Sequence, residues 1–335
     1  MRVLVVGQGL AGTLVSHEAL KQGWDVHVID AGWPSASMVA AGMFNPMSFR
    51  RIVEVWDAEE HLTIMRSTYA EIEALLHQPF VHFLPIHKYF PNGEYARDWQ
   101  QKIEHLQWLT PLPTDAKRGI VQGGGWVNLP AMIQAWRHYL SEANRFTQRA
   151  LQQQDHDDLA AGHWDAVIDC RGTAMVGADN VPQLDIRANR GEILSVSMKG
   201  DTTPPTNAIF NFSKWTIPLG NGLWRLGASY EWNRNDLEPT AETRNFLLDS
   251  LKAQLPSQPS CDVVQHQVGI RPVSRDRRPA VGPLPGKEGW FVLNGLGTRG
   301  VLIGPRWARH LIKTITNPSH QYTEVQPSRL ILIDT

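Results

Sequence analysis

Val3-Leu4-Val5-Val6-Gly7-Gln8-Gly9-Leu10-Ala11-Gly12 opens the chain and decides how the rest is read. Residues 3–6 are a continuous apolar run, the pattern of a strand buried on both faces of a parallel sheet. Residues 10–22 place Leu10, Leu14, Val15 and Leu20 at helical spacing, and Gly23 stops that helix. A second strand, 26–29, closes on Asp30. Together they predict a βαβ unit. In Gly7-x-Gly9-x-x-Gly12, Gly7 permits the tight turn, Gly9 lets the backbone approach a pyrophosphate, and Gly12 lets helix and strand touch. The free N–H groups and the positive end of the helix dipole then face the phosphates. Asp30 can accept from ribose hydroxyls, and its charge disfavours a 2′-phosphate. The motif in this strand context predicts an adenine dinucleotide.

Outward from that unit the pattern changes. Residues 31–45 read as a loop rich in small side chains. Residues 56–76 form an amphipathic helix with Trp56, Leu62, Met65, Tyr69, Ile72 and Leu76 on one side. Residues 130–143 form another helix, capped by Asn128. Residues 164–172 are a strand running into a glycine turn, and Gly123-Gly124-Gly125-Trp126 reads as a turn before the Asn128 cap. Short β-runs follow at 193–196, 208–212, 215–217 and 223–227, separated by turns such as Thr203-Pro204-Pro205 and Gly220-Asn221-Gly222. A helix at 240–255, strands at 263–268 and 290–293, and a helix at 302–315 complete the chain. The expected fold is α/β (α+β): a Rossmann-like domain and a second domain on an antiparallel sheet. A nicotinamide dehydrogenase would continue with further βα repeats, whereas a departure straight after Asp30 favours a flavin enzyme.

The 335 residues carry 32 Lys+Arg against 33 Asp+Glu, a formal net charge of −1. That length suggests about two domains, and the balanced charge provides no basic field to draw nucleic acid. No apolar run reaches the ~18–20 residues of a membrane helix, and no secretory leader is expected. Cys170 and Cys261 cannot build a disulfide framework, and no cysteine or histidine spacing suggests a metal. A cytoplasmic location is expected. The 13 tryptophans point to aromatic packing or to a lined cavity.

Several separated segments resemble the D-amino-acid oxidase family of FAD-dependent oxidoreductases, in particular glycine oxidase and the oxidase half of the bifunctional enzyme that modifies wobble uridine in tRNA. They are the nucleotide motif through Asp30, residues 37–46 (Ser-Met-Val-Ala-Ala-Gly-Met-Phe-Asn-Pro), Arg190-Gly191-Glu192-Ile193 and Trp215-Thr216-Ile217-Pro218. Gly227-Ala228-Ser229, Gly269-Ile270-Arg271-Pro272 with Asp276 and Pro279, and Gly295-Leu296-Gly297-Thr298-Arg299-Gly300 follow in family order. The resemblance implies a discontinuous FAD-binding domain (1–80, 120–190 and 262–335) and a substrate-binding domain (81–119 and 191–261). FAD would be held by Gly7, Gly9, Leu10, Ala11, Gly12, Asp30 and Ala31, and by Ser37, Ala40, Ala41 and Gly42. Cys170, Gly172, Gly297, Thr298, Arg299, Gly300 and Val301 would complete its site, with Arg271 between flavin and substrate. No cysteine lies where sarcosine-oxidase relatives attach FAD, so the flavin is expected to be noncovalent. The last loop carries Arg299 one position away from the glycine oxidase pattern, as in the tRNA-modifying oxidase, and Leu219 stands where the family has an arginine.

The resemblance also implies the chemistry: a neutral small amine or amino acid gives a hydride to flavin N5, and the imine is released and hydrolysed. Oxygen or another acceptor then takes the electrons. Arg271 would clamp the substrate carboxylate, since a guanidinium matches a carboxylate bidentately; the alternative is a structural pairing with Asp276. Arg299, Trp215 and Tyr230 are further substrate-positioning candidates, their alternatives being a solvated loop and packing beneath the sheet. Arg50 and Arg51 could steer an anionic substrate or simply be solvated. The rival functions are oxidation of a carboxymethylaminomethyl-uridine in tRNA, a nicotinamide dehydrogenase, and a flavin-binding protein without turnover.

Overall fold

Residues 2–6, the run that begins the sequence argument, become the third strand of a six-stranded sheet ordered Phe146–Gln148, Asp25–Asp30, Arg2–Val6, Ala166–Asp169, Trp290–Asn294, Ala280–Pro283. This is seen in a computed structural model that describes every residue except 33–34, 113–114, 179–181, 200–203, 233, 255–259, 321 and 332–335. The first five strands run parallel and the last is antiparallel. Val3, Leu4 and Val5 are fully buried, as a strand covered on both faces requires. Helices Leu10–Lys21 and Gly300–Thr316 pack together on one face. Their close approach needs bare backbone: a Cβ on Gly304 would lie 2.8 Å from Leu14 Cδ1.

The second sheet has eight strands, ordered Ser260–Ser274, Ile186–Lys199, Leu223–Gly227, Trp215–Gly220, Ile209–Asn211, Ile86–Tyr89, Arg118–Val121, Leu109–Pro111. All its pairs are antiparallel except Ile209–Asn211 with 86–88. The α/β class, the Rossmann-like unit and the antiparallel second sheet therefore stand as the sequence predicts. The expected boundaries at 190–191 and 261–262 fall inside the two longest strands.

Those strands are much longer than the expected runs at 193–196 and 263–268. Arg190 and Glu192 interrupt the apolar pattern, yet both are fully buried in the strand. They satisfy each other at 2.6 Å, and Arg190 also reaches Glu231 at 2.9 Å. A charged pair that neutralises itself can sit where an isolated charge could not.

Other differences are local. The expected loop at 31–45 contains a short helix, Ala36–Val39, and a strand, Met43–Phe44. Ser35 caps that helix by accepting from Ser37 N at 3.2 Å. The strand pairs with Gly125–Val127, so the glycine run is partly strand rather than only turn. Gly125 leaves its neighbours no room for a side chain, since a Cβ there would lie 2.2 Å from His82 O. The helix expected from Trp56 begins at Ala58, because Asp57 takes φ +50°. Asn128 caps Leu129–Glu142 as expected, accepting from Ala131 N at 3.4 Å. Strands 86–89, 109–111, 118–121, 146–148 and 280–283 are additions to the sequence reading. Thr203 and Leu255 lie outside the described residues.

Tryptophan serves mainly as packing. Trp99, Trp136, Trp224 and Trp307 are among the largest fully buried side chains. Trp307 stacks on Trp56 at 5.5 Å and lies near His61 and His310. His17, His61 and His310 are all buried, and burial lowers each to a pKa of about 4. The folded chain therefore rejects protons that an unfolded chain binds below pH ~6.5. Stability should be complete above that pH and fall between 6.5 and 4, by up to ~1.4 kcal/mol per pH unit for each histidine. Urea midpoints at pH 7 and pH 5 measure the slope, and His61→Phe should reduce it; an unchanged midpoint would contradict the assignment.

Candidate flavin and substrate site

One cavity of about 1210 Å³ runs from the glycine motif, along the parallel sheet, to the inner face of the antiparallel sheet. That exceeds the usual 300–1,000 Å³ of a small-molecule pocket and suits a long ligand plus a second molecule. Every residue expected at the cofactor lines it except Gly12. Gly12 instead packs against the turn: a Cβ there would stand 1.8 Å from Gly7 O.

At the phosphate end, Gly9 is the N-cap residue of helix Leu10–Lys21. A Cβ on Gly9 would come within 3.0 Å of Ser35 Oγ and 3.2 Å of Ser37 Oγ. This narrow cradle, opening on a helix N-terminus, fits a pyrophosphate and would be filled by any side chain. Ser37 Oγ also accepts from Leu10 N at 3.0 Å, tying the small-residue segment to the helix start. Asp30 is anchored by Gln8 N at 2.6 Å and Gly32 N at 2.8 Å, with Arg137 Nη2 at 3.5 Å. These contacts hold its carboxylate at the cavity wall. Asp30→Ala should weaken FAD by roughly 1–3 kcal/mol, since a ribose would lose a charged acceptor. Titrating the apoprotein with FAD checks this; wild-type affinity would contradict the placement.

At the far end, a single 3₁₀ turn, Gly297–Arg299, leads into helix Gly300–Thr316. Its N-terminus faces the cavity through Gly300, Val301 and Leu302. Cys170 is buried beside the glycine turn, its thiol pushed up by burial, and it serves there as a small apolar wall.

Arg271 projects from strand Ser260–Ser274 and lies flat on the neighbouring strand. A Cβ on Gly191 would meet its Nη1 at 2.3 Å and Nη2 at 2.4 Å. Arg271 Nη1 donates to Asn189 Oδ1 at 3.1 Å, and the guanidinium sits 4.8 Å from the Tyr230 ring. Burial pushes it below the usual arginine range. The alternative pairing with Asp276 does not occur, because Asp276 is held by Arg329 at 2.8 Å and does not itself line the cavity. Tyr230 is 54% exposed at the rim, whereas Trp215 is 8% exposed and belongs to the sheet's inner core while still lining the wall. Arg299 and Arg50 line the cavity; Arg51 does not.

The lining is strongly one-sided in charge. Arg149 and Arg171 are neutralised at 2.6 Å by Asp155 and Asp169, which lie outside the lining. Six further cations, Arg50, Lys88, Lys214, Arg271, Arg277 and Arg299, have no carboxylate within 4 Å among the described residues. Among the described residues the only acid on the wall is Asp30. Sequence reasoning missed Lys88 and Lys214. Alternation along Ile86-His87-Lys88 was the available signal, since it puts Lys88 on the same face as buried Ile86.

A glycine-cradled helix end beside a parallel sheet, opening onto a cationic antiparallel sheet, defines a dinucleotide-binding oxidoreductase fold. The family model described as FAD dependent oxidoreductase matches residues 2–314, and the chain belongs to that family. It is 24% identical over 313 residues to a tRNA 5-methylaminomethyl-2-thiouridine biosynthesis bifunctional protein MnmC of Legionella pneumophila (strain Corby), covering 84% of this chain and 45% of that protein. It thus spans about half the length of the MnmC relatives it matches. It is also 24% identical over 359 residues to a glycine oxidase of Pseudomonas aeruginosa, covering 92% of this chain and 93% of that one. The glycine oxidase structure from Geobacillus kaustophilus superposes with a TM-score of 0.74 at 18% identity, covering 99% and 98% of the two chains. The protein is an FAD-dependent oxidoreductase of the D-amino-acid oxidase family.

Proposed function

We propose that the chain oxidises a small amine or amino acid whose carboxylate is held by Arg271. The observation that carries this reading is a cavity-facing guanidinium with no carboxylate of its own, fixed by Gly191, Asn189 and Tyr230. When bound, FAD supplies a two-electron acceptor for a substrate hydride. Arg271 fixes the carboxylate so that one C–H bond faces the flavin, which is catalysis by positioning. Trp215 and Tyr230 bound the substrate space and limit water. The amides at the start of helix Gly300–Thr316 face the cavity and would favour negative charge on a flavin held there. Segments 1–80, 120–190 and 262–335 hold the flavin, noncovalently, and 81–119 with 191–261 face the substrate. The imine product hydrolyses in water, and oxygen or another acceptor takes the electrons. No helix among the described residues is long and apolar enough to cross a membrane, and Cys170 and Cys261 are free; both support action in the cytoplasm.

A second reading is oxidation of a carboxymethylaminomethyl-uridine in tRNA, supported by the position of Arg299 and by similarity to MnmC. The near-neutral net charge favours the small substrate. The test is anaerobic mixing of the yellow protein with glycine, sarcosine, D-amino acids and L-proline analogues. Bleaching by a free amine, with intact FAD released on acid treatment, is the expected result. Bleaching only by modified tRNA would select the second reading. Failure of every amine and of tRNA would leave a flavin-binding protein without turnover and overturn both.

A further inference from the structure

Resting on the carboxylate reading of Arg271, we infer that the substrate carries a second carboxylate, separated from the first by an apolar spacer and received by Lys88. Lys88 lies on strand Ile86–Tyr89, is 7% exposed, and lines the cavity. Its Nζ donates to two neutral acceptors, Asn211 Oδ1 at 3.0 Å and Phe212 O at 3.2 Å. The Phe49 and Tyr95 rings stand 5.2 and 5.6 Å away. No carboxylate lies within 4 Å among the described residues. Desolvation alone lowers this lysine to a pKa of about 8, so the chain bears the cost of burying a cation without supplying its counter-charge. A ligand anion completes the pair. One ammonium balances the single charge of a carboxylate better than the nearly double charge of a phosphate.

The FAD pyrophosphate does not account for Lys88, because its cradle lies at the other end of the cavity, on the first helix. Lys88 and Arg271 share the antiparallel sheet instead. The Arg271 guanidinium lies on the strand containing Gly191, and Lys88 Nζ is bonded to Asn211 and Phe212. Two strands separate these, Leu223–Gly227 and Trp215–Gly220. Crossing them takes three steps of about 4.8 Å, so the two cations stand on the order of 14 Å apart. Glycine is too short to touch both. Ile193 and Trp215 line the wall between them, which calls for methylene groups there rather than polar ones.

The probes are unreactive acids of matched length, titrated against the FAD-loaded protein and read by perturbation of the flavin spectrum. Suberate should bind at least tenfold tighter than octanoate, whereas succinate, too short to span, should gain less than threefold over butyrate. In Lys88→Met and Lys88→Gln, checked for normal FAD content, the suberate advantage should collapse below threefold. Equal binding of suberate and octanoate by the wild-type protein would overturn the inference, even if neither variant folds. So would an advantage that survives both substitutions. Arg271→Ala should weaken both long acids; if it weakens neither while the Lys88 dependence holds, the Arg271 reading fails and the second anion site stands.

Discussion

Arg271→Ala leaves the protein yellow and folded but slows anaerobic flavin reduction by about a hundredfold to several thousandfold at subsaturating substrate. That range corresponds to roughly 3–5 kcal/mol of lost transition-state binding, typical when one partner of a desolvated charge pair is removed. FAD content should stay near wild type, because the guanidinium rests on Gly191 and Tyr230 rather than on the phosphate cradle. Arg271→Lys should recover only part of the rate, since an ammonium keeps the charge but not the planar fork. Asp276→Asn should leave flavin reduction unchanged, because Asp276 serves Arg329. A stable Arg271→Ala protein that reduces its flavin at the wild-type rate would end the clamp assignment.

Gly42→Ala should produce apoprotein or insoluble protein. Two effects combine at this position. Gly42 has φ +71°, and an added Cβ would stand 1.9 Å from Val127 O. Gly42 O also accepts from Val127 N at 3.0 Å, so the clash strikes backbone that cannot swing aside. Overpacking a position of this kind costs several kcal/mol, on the order of 3 or more. Ala40 and Ala41 line the cavity immediately beside it, so displacement there also distorts the flavin wall. Gly23→Ala is the control: its φ is +73°, but nothing lies within 4 Å of the added carbon. It should cost only ~1 kcal/mol. Melting temperature and flavin absorbance separate the two variants, and equal effects would refute the steric argument.

The flavin half of the site was legible because its chemistry needs backbone, and backbone needs glycine at fixed spacing. Gly7, Gly9 and Gly12 between a strand and a helix announce themselves in one dimension. Arg271 was singled out only through its resemblance to a family pattern. Its surroundings, Asn189 across the strand pair and Gly191 beneath the guanidinium, depend on register that no local spacing reveals. The two long strands were read as short because Arg190 and Glu192 look like surface residues until they are seen paired. Lys88 went unread for the same reason: a lysine reads as solvated unless the fold turns its face inward, as it does here on the face of buried Ile86.

Strands Ile186–Lys199 and Ser260–Ser274 stay in register from the Ile186–Ser274 pair to the Lys199–Ser260 pair, apart from one bulge at Ser195–Val196. Arg271 belongs to this ladder, and Val273 bridges to Leu296 at the threshold of the flavin-facing helix. A hinge would have to break that ladder, at ~1 kcal/mol for each hydrogen bond lost. Arg271, the proposed carboxylate anchor, and the helix facing the flavin cavity are therefore parts of one stiff frame. If Arg271 holds the substrate as proposed, catalytic distance is set when the chain folds, not when substrate arrives.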